Sequence, residues 1–190
     1  MPLTPGTRLG PYEILAPVGT GGMGEVYRAR DTRLGRDVAV KILSTHLSSD
    51  PDLKWRFERE ARAVSLLTHP NICCLYDIGS HDGIDFIVME YLEGETLADR
   101  LATGLLPLQQ VLKIGVEIAD ALDKAHRQGI IHRDFKSSNI MLPKSGAKLM
   151  DFGLAKLATA TISAVPEASS QTSCLATMSV TAARAWRPSH

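Results

Sequence analysis

Residues 131–139 read Ile-His-Arg-Asp-Phe-Lys-Ser-Ser-Asn, and residues 150–153 read Met-Asp-Phe-Gly. These two segments carry two aspartates, a lysine and an asparagine within a short length of chain. Carboxylate and amide oxygens are hard ligands that suit Mg²⁺ bound together with phosphate oxygens. One carboxylate of such a set would have to remain available as the acceptor of a hydroxyl proton. A polar loop between two apolar runs is the alternative interpretation, and so many chemically suited positions in one loop disfavour it.

A glycine-rich segment near the N-terminus, residues 19–26, reads Gly-Thr-Gly-Gly-Met-Gly-Glu-Val and fits the pattern G-x-G-x-x-G-x-V. Glycines let backbone N–H groups approach phosphate oxygens without interference from a Cβ. A flexible hairpin turn is the alternative that the glycines alone leave open. A Walker A loop is excluded because Glu25 and Val26 follow the last glycine where Lys-Ser/Thr is required. A dinucleotide-binding loop is excluded because residues 25–30 alternate like a strand instead of opening a helix.

Lys41 follows Val-Ala-Val at the end of an apolar segment, and Glu60 lies on the helix predicted next along the chain. A lysine in such a place is often an edge residue whose tip reaches solvent. Its position behind the glycine hairpin favours contact with phosphate. Glu60 taken alone is a solvated charge, but as a partner of Lys41 it would hold the ammonium as one member of an ion pair.

The periodicity of apolar residues predicts two regions of different structure. Up to residue 92 short segments typical of strands flank one amphipathic helix, and from residue 95 the pattern is mainly helical. The predicted strands are 12–18, 25–30, 37–42, 72–78 and 84–91, followed later by a small hairpin of 139–142 and 147–150. The predicted long helix spans 107–128, with an apolar face of Val111, Ile114, Ile118, Leu122 and Ala125. The fold class expected is α+β with two lobes, the first rich in strands.

Composition and charge exclude several classes of protein. The chain has 190 residues, 44% hydrophobic, with 21 basic and 21 acidic residues and zero formal net charge. This balance disfavours a general nucleic-acid binder and an intrinsically disordered chain. No apolar run is long enough to span a membrane, and no signal peptide is visible at the N-terminus. The three cysteines, two of them adjacent, do not suggest a disulfide framework, and a cytoplasmic location is expected.

Taken together, the motifs resemble those of the eukaryotic-type protein kinases, and within that family the bacterial serine/threonine kinases. The segments that carry the resemblance occur in the family's order and spacing over about residues 12–156. They are Gly19/Gly21/Gly24, Val26, Lys41, Glu60, His69-Pro70-Asn71-Ile72, Glu90-Tyr91, His132-Arg133-Asp134, Lys136, Asn139 and Asp151-Phe152-Gly153. Lys136, two residues after Asp134, is the serine/threonine form of this loop.

The resemblance implies a role for each matched position in transferring the γ-phosphate of ATP to a Ser or Thr hydroxyl of a protein. Nucleotide binding is implied for Val18, Gly19, Gly21, Gly24, Val26, Ala39, Lys41, Met89, Glu90 and Leu92. Glu60 would hold Lys41, Asp134 would orient and deprotonate the hydroxyl, and Lys136 would neutralise the γ-phosphate. Asn139 and Asp151 would bind Mg²⁺. Such an arrangement acts mainly by positioning and charge neutralisation.

The resemblance also implies a division of the chain and a departure from the family. Residues 12–92 correspond to a complete nucleotide-binding N-lobe and residues 93–156 to part of a C-lobe. Residues 157–190 are predicted to be a disordered remnant of the activation loop, followed by a tail that does not match the family. We therefore expect a truncation, with a frame change near residue 182 as a hypothesis. Activity of this chain is then doubtful, and the alternative function is a non-catalytic ATP-binding or interaction fragment whose exposed C-lobe face docks a protein partner. Ile114, Ile118 and Leu122 are expected to leave part of this apolar face in water.

Overall fold

An antiparallel six-stranded sheet forms the first half of the chain in the computed structural model, which describes residues 2–21, 24–43 and 51–152. Its strands are β1 (Arg8–Leu9), β2 (Tyr12–Gly21), β3 (Gly24–Asp31), β4 (Arg36–Ile42), β5 (Leu75–His81) and β6 (Ile84–Glu90). Their order in the sheet is β1-β2-β3-β4-β6-β5. The five predicted strands are confirmed. β1 was not predicted, and it extends the sheet to the N-terminal side of the expected boundary at residue 12.

The turn between β3 and β4 fixes the register that brings Lys41 to the centre of the sheet. Asp31 is buried, and its Oδ1 accepts backbone N–H groups of Arg33 at 3.0 Å and of Leu34 at 3.3 Å. Gly35 completes the turn at a φ of +67°, which glycine adopts without steric cost. The resulting register places Lys41 opposite Val26 on β3.

Helices and a small second sheet make up the rest of the described chain. The helices are α1 (Pro51–Ser65), α2 (Leu97–Ala102) and α3 (Leu108–Arg127), and the strands are β7 (Glu95–Thr96), β8 (Ile140–Leu142) and β9 (Lys148–Leu149). A 3₁₀ turn at Ser137–Asn139 leads directly into β8. The order of strands is β7-β8-β9, so the predicted hairpin of 139–142 and 147–150 is confirmed with a third strand added. No helix in the ranges described is long and apolar enough to cross a membrane.

Two apolar clusters hold these elements together. One lies within the large sheet and includes Tyr27, Val40 and Val88. The other joins the two halves of the chain because residues of α1, α3, β8 and β9 pack into it. Its members include Phe57, Ala61, Val64, Ile114, Ile118, Ala121, Ala125, Ile140, Leu149 and Phe152. The positions of α1, α3 and the β8–β9 hairpin are therefore set by a shared core.

The apolar face of α3 differs in part from the prediction. Ile114, Ile118 and Ala125 are buried as predicted, but Val111 is 46% exposed, and Ala121, which was not assigned to this face, is fully buried. Ile114, Ile118 and Leu122 were expected to leave part of the apolar face of α3 exposed to water. Ile114 and Ile118 instead pack into the core, although both also line an apolar groove of about 440 Å³ together with Leu101 and Phe135. The predicted activation-loop and tail region, 157–190, lies outside the described residues.

Candidate functional site: a cleft between the sheet and the small hairpin

A cavity of about 510 Å³ lies between the large sheet and the β8–β9 hairpin. This volume falls in the range usual for small-molecule sites, about 300–1,000 Å³. The cavity is lined by Val18, Gly19, Gly24, Val26, Ala39, Lys41, Met89, Glu90, Tyr91, Leu92, Thr96, Lys136, Ser138, Asn139, Met141, Met150 and Asp151. Twelve of the fifteen predicted site residues are therefore in this lining, and Glu60 and Asp134 are not.

The glycine segment closes one side of the cavity as a hairpin between β2 and β3. Gly21 pairs with Gly24, and Gly19 pairs with Val26 across the two strands. Gly24 has a φ of +116°, and a Cβ built there would collide with the backbone carbonyl oxygen of Ile42. A side chain at this position is therefore excluded both by backbone conformation and by the approach of β4.

Lys41 and Asp151 form an ion pair across the cavity. Lys41 Nζ lies 2.9 Å from Asp151 Oδ1, and the two side chains are 6% and 25% exposed. Lys41 stands on β4, and Asp151 follows β9 with a φ of +54°, in the left-handed region. Aspartate is one of the few non-glycine residues that tolerates this conformation. The pair shows that the cleft brings the lysine behind the glycine hairpin to the aspartate of the second motif.

The loop before β8 gathers Asp134, Lys136 and Asn139. Lys136 Nζ lies 2.9 Å from Asp134 Oδ2. The side-chain amide of Asn139 donates to the Asp134 backbone carbonyl at 2.9 Å and to Asp134 Oδ2 at 3.1 Å. Asn139 is buried, and its backbone carbonyl accepts the N–H of Met150 at 2.8 Å. These bonds orient the Asp134 carboxylate and tie its loop to the strand that leads to Asp151.

His132 and Phe152 form the support beneath this loop. His132 Nε2 lies 2.7 Å from the Met150 carbonyl oxygen, so this nitrogen carries the hydrogen and donates it. The His132 and Phe152 ring centroids are 4.7 Å apart, and both residues are buried. Burial lowers the pKa of His132, which keeps the ring neutral, while the bond to the Met150 carbonyl opposes that shift. A neutral imidazole donating to Met150 fixes the backbone immediately before Asp151.

Glu60 does not pair with Lys41 as predicted. Its carboxylate oxygens instead accept from Arg133 Nη1 at 2.9 and 3.0 Å, with side chains 30% and 49% exposed. Lys41 has Asp151 as its carboxylate partner. Glu60 lies on a helix as predicted, but its partner is Arg133 and not Lys41. Arg133 has a φ of +62°, in the left-handed region that non-glycine residues seldom adopt.

Four lining residues were not predicted as site residues: Thr96, Ser138, Met141 and Met150. Met141 and Met150 lie in the β8–β9 hairpin region, on the side opposite the sheet residues Val26 and Ala39. The available signal was the strand alternation after Asn139, which puts Met141 and Asn139 on one face. An apolar residue between two motifs carries no polar group, so motif reading passes over it.

A comparison with known families matches residues 12–183 to the protein kinase domain. This chain belongs to the protein kinase domain family. Among its relatives are the serine/threonine-protein kinases PknB of Mycobacterium leprae and PrkC of Bacillus subtilis. PknB is 47% identical over 151 residues, covering 76% of this kinase chain and 24% of that protein. PrkC is 44% identical over 154 residues, covering 80% of this chain and 24% of that protein.

Solved kinase structures resemble the fold as well. The PknI kinase domain of Mycobacterium tuberculosis superposes with a TM-score of 0.74 at 33% identity, covering 80% of this chain and 62% of that domain. The expected kinase-like α+β fold is thereby confirmed. This kinase chain spans about a quarter of the length of the curated relatives named above.

Proposed function

We propose that this chain binds Mg²⁺-ATP in the cleft and transfers the γ-phosphate to Ser or Thr hydroxyls of a protein substrate. The observation that carries the proposal is that Lys41, Asn139 and Asp151 line one cavity, with Asp134 bonded to Asn139 at its edge. Phosphoryl transfer needs fixed cationic and carboxylate groups more than covalent chemistry. A cleft with apolar walls and these groups at one end fits a nucleotide whose base is apolar and whose phosphates are charged.

The walls of the cavity fit an adenine base. Val26 and Ala39 supply apolar surface from the large sheet, and Met141 supplies it from the small sheet. Met89 lies on β6, next to residues 90–92, which we call the hinge segment. The hinge segment lines the same cavity, and we expect its backbone groups to bond the edge of the base. The exposed residue Val18 completes the wall near the glycine hairpin.

The polar end fits a divalent cation held jointly by the protein and by phosphate. No cluster of three or more His, Cys, Asp or Glu side chains suited to a metal occurs in the part of the chain that the structure describes. Mg²⁺ typically takes only one or two protein carboxylates together with phosphate oxygens and water. The Asn139 amide nitrogen donates to Asp134, which leaves its oxygen as the ligand atom, and Asp151 supplies a carboxylate. When bound, the ion would neutralise phosphate charge.

These contacts support the catalytic roles that we propose. Asp134 would accept the hydrogen of the substrate hydroxyl and orient its oxygen, with the carboxylate held by Asn139. Lys136 lies against Asp134 and is 45% exposed, so its ammonium can turn toward a γ-phosphate. Lys41 would exchange part of its contact with Asp151 for the α- and β-phosphates.

A second candidate function is ATP binding without phosphoryl transfer. The observation that favours it is the pairing of Glu60 with Arg133, which leaves Lys41 without the Glu60 contact expected to hold it toward phosphates. In this case the apolar groove along α3 would be available to a protein partner. The two candidates share nucleotide binding and differ in transfer.

The test uses the purified chain with Mg²⁺ and γ-labelled ATP, measuring binding by calorimetry and transfer to a generic Ser/Thr protein by mass spectrometry. The proposal expects binding that requires Lys41 and transfer that is abolished in Asp134→Asn. Asp134→Asn should leave ATP affinity within about threefold, since this residue contacts the hydroxyl and not the base. Binding without any transfer would select the second candidate, and absence of ATP binding would reject both.

A further inference from the structure

A second ion pair joins the large sheet to the β8–β9 hairpin, and its lysine belongs to none of the motifs. Lys148 on β9 donates from Nζ to both oxygens of Glu90, the last residue of β6, at 2.8 Å each. The side chains are 12% and 24% exposed. The two residues are 58 positions apart in sequence, so the contact ties together distant parts of the fold.

Glu90 is held by further bonds from the segment before β5. Its backbone N–H donates to the Cys74 carbonyl at 2.9 Å, and its Oε2 accepts the Cys74 N–H at 3.3 Å. The Cys73 thiol donates to the Glu90 carbonyl at 3.6 Å, and the Cys73 N–H donates to the Leu149 carbonyl at 2.9 Å. Residues 73–74 therefore bridge the hinge and β9, and the Lys148–Glu90 pair lies across the same junction.

The Lys148–Glu90 contact connects the two segments of chain that line the two ends of the cavity. Glu90 begins the hinge segment that lines the base end, and Asp151 lies three residues after Lys148 at the polar end. Because Lys148 is bonded to Glu90 and Leu149 to Cys73, the strand that leads into Asp151 cannot shift relative to the end of β6 without breaking these contacts. A partly buried bidentate ammonium–carboxylate contact resists such a shift more than an exposed one.

We propose that Lys148 is a positioning residue which, through Glu90, fixes the spacing between the hinge and Asp151, and that this spacing sets the affinity for ATP. The inference rests on the proposed function, because only a ligand that reaches both ends of the cavity senses the spacing. A ligand that touches one end does not. Lys148 does not line the cavity, so it acts through Glu90 and through the backbone on either side.

The test compares three probes that divide the cavity: Mg²⁺-ATP for both ends, adenosine for the base end, and Mg²⁺-tripolyphosphate for the polar end. Lys148→Met keeps the length of the side chain and removes the charge. We expect its Kd for Mg²⁺-ATP to rise about tenfold, while the Kd for adenosine and for tripolyphosphate each change less than about twofold. Lys148→Arg restores a bidentate cation and should bring the ATP affinity back to within about threefold of the wild-type chain.

The matched control is Lys54→Met. Lys54 pairs with Asp85 at 3.1 Å, and Lys54 lines a separate, smaller cavity. This variant should leave all three affinities unchanged. A loss of equal size for all three probes in Lys148→Met, or an equal loss in Lys54→Met, would mean that Lys148 is only structural and would overturn the inference.

Amide hydrogen exchange on the nucleotide-free chain separates this inference from the proposed function. Lys148→Met should speed exchange at the Glu90 and Leu149 amides, and Lys54→Met should not. If the wild-type chain binds no ATP, the proposed function fails together with the part of the inference that concerns affinity. Unchanged exchange in Lys148→Met would overturn the positioning role itself, whatever the wild-type chain binds.

Discussion

Replacing the two members of the Lys41–Asp151 pair should have unequal effects on stability. Asp151→Asn preserves the shape of the side chain, and asparagine tolerates the φ of +54° at this position. It leaves an ammonium that is only 6% exposed without its carboxylate partner. Lys41→Met leaves instead a carboxylate that is 25% exposed and can be hydrated in part. The charge left behind is therefore the better buried one in Asp151→Asn.

The expected magnitudes follow from this difference in burial. Removing one member of a buried ion pair costs about 3–5 kcal/mol, whereas an exposed pair is worth about 0.2–1 kcal/mol. Asp151→Asn should therefore lower the free energy of unfolding by about 3 kcal/mol. Lys41→Met should lower it by about 1–2 kcal/mol, between the two limits. The double variant should cost less than the sum, because each single change already breaks the same contact.

The assay is urea unfolding of the nucleotide-free chain, followed by circular dichroism at neutral pH and constant salt. Lys113→Met is the control, because Lys113 and Glu117 are 3.8 Å apart on α3 and the lysine is 68% exposed. This control should change stability by less than about 0.5 kcal/mol. Equal losses in the two site variants, or a larger loss in Lys41→Met, would refute the reasoning from burial.

Two further outcomes are expected from other parts of the site. Burial lowers the pKa of His132 below its ordinary value near 6.5, so the unfolded chain binds more protons and stability is lost as the pH falls below that value. Through this residue, the free energy of unfolding should fall by at most about 1.4 kcal/mol for each pH unit. The fall should be smaller in His132→Phe, and urea unfolding between pH 5 and 8 measures both chains. Gly24→Ala should lower stability by about 1–3 kcal/mol in the same assay, because of its φ and its contact with the Ile42 carbonyl. Gly19→Ala is the matched control, since a Cβ there meets nothing within 4 Å, and a comparable loss would contradict the steric explanation.

Much of the fold could be predicted because its elements carry regular patterns. Strands β2 to β6 and helix α3 have alternating or three-to-four-residue apolar spacing, and the structure confirms them. β1 was missed because two residues cannot show a period, although Leu9 is 1% exposed. Val111 was misassigned because it stands at the margin of a wide apolar stripe, where burial depends on which neighbours are present.

Most residues that line the cleft were predictable for a different reason. Glycine, lysine, asparagine and aspartate occur in motifs that resemble those of the protein kinases, and the resemblance identified them as one site. The Lys148–Glu90 pair was not predictable in this way, because a lysine in a strand has many potential partners and the contact spans 58 positions. Only the three-dimensional fold selects Glu90, because residues 73–74 are bonded to Glu90 on one side and to Leu149 on the other.

The partner of Glu60 was the least predictable feature, and the reason lies in what positions α1. The Glu60–Arg133 pair is exposed on both sides, and a pair of this kind contributes about 0.2–1 kcal/mol. The buried side chains Phe57, Ala61 and Val64 on the same helix pack into the core shared with α3, and burying a side chain such as phenylalanine contributes about 1.5–3 kcal/mol. Packing therefore decides where α1 lies, and the carboxylate pairs with the cation it can reach from there. Removing Arg133 alone should leave α1 and Glu60 in place, because the buried side chains of the helix outweigh that contact.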